Sequence, residues 1–124
     1  TPLHSSAASD VYKRQADVLF HEAQANHQLE IMKEALSSNK GLLKILNDIE
    51  SYHTTPIDAA KAANLANVDH LIFYHLTPAP RIGVMERMFY RGVNEIRTDW
   101  TSANDGTMAV LPLDSDEIII TEIN

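Results

Sequence analysis

A mixed α/β fold is predicted by three observations. Two short apolar runs of strand-forming residues, Val18-Leu19-Phe20 and Leu71-Ile72-Phe73-Tyr74, are far apart in the chain. Between them, apolar residues recur at spacings of three and four, the period of a helix packed on one face. Beyond Gly92 the pattern changes towards a period of two, interrupted by the turn-forming Asn104-Asp105-Gly106. The resulting order is β-α-α-α-β-α-β-β-β, an α/β arrangement with a small terminal sheet. A chain of 124 residues that is 44% hydrophobic is enough for one modest core.

Residues 1–15 mix Ser, Ala, Asp, Lys and Arg without periodicity and read as a non-native or disordered tail. The run Ser5 to Gln15 also resembles a translated sequencing adapter, which places the native start near Ala16. The first strand, Val18 to Phe20, leads directly into His21 and Glu22. Ala25, Leu29, Met32 and Leu36 form the stripe of one helix. After the break Ser37-Ser38-Asn39-Lys40-Gly41, Leu42, Ile45, Leu46 and Ile49 form that of a second. Thr55 suits the N-cap of a third helix, with Pro56 at its first position and Asp58 in its first turn. The stripe of that helix is Ala59, Ala62, Ala63 and Ala66, small enough for close approach to a sheet. The next strand, Leu71 to Tyr74, is apolar on both faces, as in a covered interior strand, and ends at His75. A short helix with Val84, Met85, Met88 and Phe89 inward is expected before Gly92. Strands are then expected at Val93 to Thr98, Thr107 to Leu111 and Glu117 to Thr121, the first two joined through Asn104-Asp105-Gly106.

The composition excludes several functions. A formal charge of −7, with ten basic residues scattered along the chain, disfavours a broad phosphate-binding surface and hence RNA as a partner. With no cysteine, disulfides and thiolate ligands are excluded, and the compartment stays open. The longest apolar runs fall far short of the roughly 18 residues that begin to suggest a membrane span, so the chain reads as soluble with no membrane partner.

Titratable groups cluster where the apolar elements end: His21-Glu22, His53-Thr54-Thr55-Pro56 and His75. Ligands of α/β folds gather at the C-terminal ends of strands, so the two strand-end groups can face one crevice. Each alone reads more readily as a structural hydrogen-bonding group. His4, His27 and His70 have no comparable setting and read as non-functional.

With their flanks, these segments resemble a known family. Ala16-Asp17-Val18-Leu19-Phe20-His21-Glu22-Ala23 is similar to the strand and His-Glu-Ala motif of ribonuclease Z-like proteins, and Tyr52-His53-Thr54-Thr55-Pro56 to their His-Ser/Thr-Ser/Thr element. Val68 to Pro78 resembles the strand that delivers their last metal-binding histidine, and Arg91-Gly92-Val93 with Asp105-Gly106-Thr107 extends the likeness towards the end. Residues 16–124 therefore look like the C-terminal part of a metallo-β-lactamase-fold αββα sandwich of the ribonuclease Z and arylsulfatase-like branch. The resemblance implies a dinuclear metal hydrolase, usually holding two zinc ions, that acts on a phosphodiester or a small phosphate or sulfate ester. It assigns His75 as a metal ligand, and the remaining ligands would lie upstream of Ala16. It gives His53 the role of proton donor or transition-state contact at the leaving group, with Glu22 fixing its orientation and charge at an approach of about 3 Å, or a looser contact without metal. It leaves His21 a structural part and gives Asp17 no ligand role. Tyr74 departs from the family pattern, since a small hydroxylated residue often stands there. An isolated C-terminal part is expected to be inactive and, with an unpaired strand and exposed apolar surface, to be poorly stable or to self-associate. The competing reading is a non-catalytic, helix-rich α/β interaction module.

Overall fold

The computed structural model describes residues 16–123, and the tail expected at residues 1–15 lies outside the described residues. The chain runs β1 (Val18–Gln24), α1 (Asn26–Ala35), α2 (Lys40–Glu50), α3 (Pro56–Leu65), β2 (His70–Thr77), α4 (Gly83–Phe89), α5 (Val93–Ile96), β3 (Trp100–Ser102), β4 (Thr107–Val110) and β5 (Ile119–Glu122). Strands β1, β2 and β3 form a parallel sheet in that order, and β4 and β5 form a separate antiparallel pair. Parallel neighbours need long crossovers, which α1 to α3 and then α4 and α5 supply. The architecture is thus mixed α/β, as the residue patterns predict.

As the central strand, β2 carries three fully buried residues in succession, Leu71, Ile72 and Phe73. Leu71 and Phe73 join a core built with Ala23, Ala59, Ala60, Ala63, Phe89 and Val93. The alanine stripe is what lets α3 lie close on β1 and β2: Ala59, Ala60 and Ala63 are all fully buried. Phe73, Tyr90 and Trp100 complete the packing, with ring centroids 5.0 Å apart for Phe73 and Tyr90 and 4.6 Å for Tyr90 and Trp100, spacings typical of favourable aromatic pairs. By the alternation of a strand, Ile72 faces the opposite side of the sheet, where its register partner Phe20 is 51% exposed.

Local capping follows the residue types. Thr55 Oγ1 accepts the Asp58 amide at 3.2 Å, and Pro56 occupies the first turn of α3. Asn39 does the same for α2, accepting the Leu42 amide at 3.1 Å. Lys33 pairs with both Glu30 and Glu50, joining α1 to α2. Of the α2 stripe, only Leu46 is buried.

Four expectations require correction. The segment from Val93 to Thr98 is not a strand: α5 occupies Val93–Ile96. Gly92, at φ 87°, turns the chain sharply, Val93 is buried in the core, and Asn64 donates to the Ile96 carbonyl at 2.9 Å. Those tertiary contacts override the weak β preference of Val93 and Ile96. The third strand of the main sheet lies instead at Trp100–Ser102, paired with Leu71 to Phe73. Consequently the Asn104-Asp105-Gly106 turn leads from one sheet to the other and closes no hairpin. Gly106 is required there, because at φ 92° an added Cβ would sit 2.5 Å from the Ile123 carbonyl oxygen. Strand β2 does not end at His75 but continues to Thr77. Finally, Val84 is 48% exposed and does not face the core. Among the described residues, no helix is long and apolar enough to cross a membrane.

Candidate active site

The parallel sheet aligns the C-terminal ends of β1 and β2, so residues far apart in sequence meet at one rim. Glu22 on β1 organises this rim through both oxygens of its carboxylate. Oε1 accepts the Thr54 amide at 2.8 Å, and Oε2 lies 3.1 Å from Nδ1 of His53. The Thr54 carbonyl in turn accepts the Gln24 amide at 2.8 Å. The loop is therefore clamped to β1 through both backbone groups of one residue, Thr54, just before Thr55 caps α3. This clamp fixes where His53 stands.

His75 arrives by a different device. Glu22 pairs with Tyr74 and Ala23 with Leu76, so His75 is an extra residue bulged out of β2. Its backbone lies in the left-handed region at φ 47°, which a histidine adopts rarely but more readily than bulkier residues. A bulge of this kind interrupts the regular alternation and re-aims one side chain. The His53 and His75 ring centroids stand 6.1 Å apart at 39°. Glu22, His53 and His75 each offer one ligand atom within 4.8 Å of the others. The carboxylate and the His53 ring are about one-quarter exposed, and His75 is exposed. His75 also lines an open cleft of about 430 Å³ with Leu76, Ala79, Pro80, Ala103, Asn104 and Asp105, a lining that contains no Lys or Arg among the described residues.

The other sequence-identified groups stay apart from this constellation. His21 Nδ1 donates to the Glu22 carbonyl at 2.7 Å, a backbone contact. His27 Nε2 donates to the Met88 carbonyl at 2.8 Å, tying α1 to α4. His70 Nε2 lies 2.7 Å from Thr101 Oγ1, between β2 and β3. Burial holds the His70 imidazole below its ordinary pKa; nearby Asp99 opposes this and Arg97 reinforces it. The Asp17 carbonyl accepts the Asp69 and His70 amides where β1 and β2 begin. Tyr74 leans edge-on against Phe20 with centroids 6.4 Å apart.

Two features of the site had no sequence signal. The Thr54 clamp is a backbone contact, and the bulge at His75 appears only once the register is known. A second cleft of about 410 Å³, lined by Arg87, Tyr90, Arg91, Asn94 and Trp100 among others, shares no residue with the Glu22-His53-His75 group. Size alone therefore does not locate the chemistry, which the convergence of titratable groups does. Comparison with models of known protein families, with curated proteins and with solved structures finds no match for this chain.

The geometry permits two kinds of chemistry. A carboxylate against an imidazole holds one ring nitrogen and orients the other for proton transfer. Two imidazoles and a carboxylate also form a donor set suited to a first-row divalent ion, so His75 fits a metal on the chemistry of its surroundings.

Proposed function

We propose that this chain is the C-terminal part of a metallo-β-lactamase-like, metal-dependent hydrolase and carries the leaving-group side of its active site. The convergence of Glu22, His53 and His75 at one sheet rim carries this reading. His75 would hold the metal, zinc in the family it resembles, together with ligands encoded upstream of Ala16. The bound metal supplies charge neutralisation and a nucleophile usable at neutral pH. Glu22 holds His53 through Nδ1, leaving Nε2 as the nitrogen available to a departing oxygen. Negative charge develops on that oxygen as the ester bond breaks, and a carboxylate-held imidazole can protonate it. Among the described residues the cleft beside His75 offers no lysine or arginine, and the chain carries a formal charge of −7. Both favour a small phosphodiester, phosphate ester or sulfate ester over RNA. The exposed Phe20 and Tyr74 and the edge position of β1 fit a sheet that further strands complete as a sandwich. They also favour self-association of the chain as given. A non-catalytic interaction module draws its support from exposed Ile31, Leu42 and Ile45 on α1 and α2.

With zinc and a chromogenic phosphodiester, the chain as given is expected to show no turnover, because upstream ligands are needed for the metal pair. Extended upstream to include a His-x-His-x-Asp-His cluster, the protein should turn over. That activity should be abolished by His75→Ala and lowered about 100- to 10,000-fold by His53→Ala. Zinc-stimulated turnover by the chain alone, abolished by His75→Ala, would refute the division of the site. The absence of any such cluster upstream would refute the hydrolase reading.

A further inference from the structure

We infer that Glu22, His53 and His75 together form a three-ligand site for one divalent transition-metal ion in the chain as given, an alternative to the place of His75 in the metal pair of the proposed hydrolase and occupied at the expense of the Glu22–His53 hydrogen bond. The inference rests on geometry alone and stands independently of the hydrolase reading. Metal–donor bonds of about 2.1 Å place the ligands of a tetrahedral ion about 3.4 Å apart. His53 Nδ1 and Glu22 Oε2, at 3.1 Å, already have nearly that separation. The third donor completes a set in which all lie within 4.8 Å, so closure around an ion needs a movement of at most about 1.4 Å by the exposed His75 side chain.

Three observations favour a built site over a chance cluster. The Glu22 carboxylate is oriented through its other oxygen by the Thr54 amide at 2.8 Å, the outer contact that fixes a ligating carboxylate. His75 is carried into place by a bulge and held at φ 47°, a conformation that persists only when the surrounding structure imposes it. The cluster opens to solvent through His75, which leaves a fourth position for water or a small ligand. Two imidazoles and one carboxylate select zinc, cobalt or a similar ion over calcium and magnesium, which prefer all-oxygen sets. Occupancy would also separate His53 from Glu22, so excess metal would disable the dyad.

The test is to titrate the untagged chain with Co²⁺, reading its visible absorption, and then to displace Co²⁺ with Zn²⁺. One ion per chain is expected, with an absorption typical of four or five ligands. Glu22→Gln, His53→Gln and His75→Gln should each weaken binding at least about tenfold. His27→Gln should leave it unchanged. Because the variants could perturb folding, Zn²⁺ is also added to the unmodified chain while imidazole NMR signals are followed; those of His53 and His75 should shift and that of His70 should not. Binding that depends on His75 but not on His53 or Glu22 overturns the inference, as does the absence of binding at about 1 mM metal. In that second case the hydrogen-bonded dyad and the hydrolase reading stand. If the ion binds and the upstream-extended protein has no activity, the hydrolase reading falls and this site remains.

Discussion

Replacing Glu22 should expose how far its carboxylate organises the rim, and the structure allows the size of the effect to be worked out. Two contacts are involved: the Thr54 amide at 2.8 Å and the His53 ring at 3.1 Å. Glu22→Ala deletes both. A buried amide left without an acceptor costs about 1–3 kcal/mol, and a hydrogen bond to a charged group contributes about 1.5–3 kcal/mol. The carboxylate is one-quarter exposed, so water recovers part of each contribution. A loss of about 2–3 kcal/mol is therefore expected. Glu22→Gln keeps an acceptor for Thr54 and gives up only the charge, so about 1 kcal/mol is expected. To isolate the imidazole contact, urea unfolding is measured for the original chain, Glu22→Gln, His53→Gln and the double variant. The coupling energy should be about 1 kcal/mol, within the range seen for groups in direct contact. Additivity within about 0.3 kcal/mol would refute the claim that the carboxylate holds His53, since distant, independent sites behave that way.

Two further outcomes follow from the core. Phe73 on β2 is fully buried in the core and packs against Tyr90 and Trp100, so Phe73→Ala should cost about 3–5 kcal/mol in the same unfolding assay. Tyr90 has its phenol pKa pushed up to about 12, chiefly by burial, while its contact with Ser102 opposes the shift and Glu86 adds to it. The folded state keeps this proton where an unfolded tyrosine, with a pKa near 10, has lost it. Its contribution to stability is therefore intact below pH 10 and lost as pH rises towards 12. Unfolding midpoints should fall across that window, and Tyr90→Phe should flatten the fall; an unchanged slope would show that the phenol is not protected.

The elements that could be read in the sequence are those whose signal is local. The Thr55-Pro56 start of α3 is set by one side chain and one ring within a few residues, so it is visible without a fold. The alanine stripe of α3 and the apolar run of β2 are likewise properties of adjacent residues, and their burial follows from them. Where local preference is weak, neighbours decide. Val93 to Ile96 is helical because Gly92 turns the chain and Asn64 reaches the Ile96 carbonyl. Trp100–Ser102 becomes a strand because the exposed edge of β2 accepts it. A three-residue strand carries too little pattern to be recognised in isolation.

The candidate site divides along the same line. The chemical types available, a Glu at one strand end and histidines at a loop and at a second strand end, are legible in the residues and their immediate flanks. Their meeting is a consequence of the folded arrangement. Glu22 and His53 lie 31 positions apart, and their contact depends on two helices folding back and on the Thr54 backbone docking along β1. The placement of His75 depends on one unpaired residue in the β1–β2 register, and no single strand contains that information. Register is a property of two strands together, because each backbone hydrogen bond needs a donor from one and an acceptor from the other.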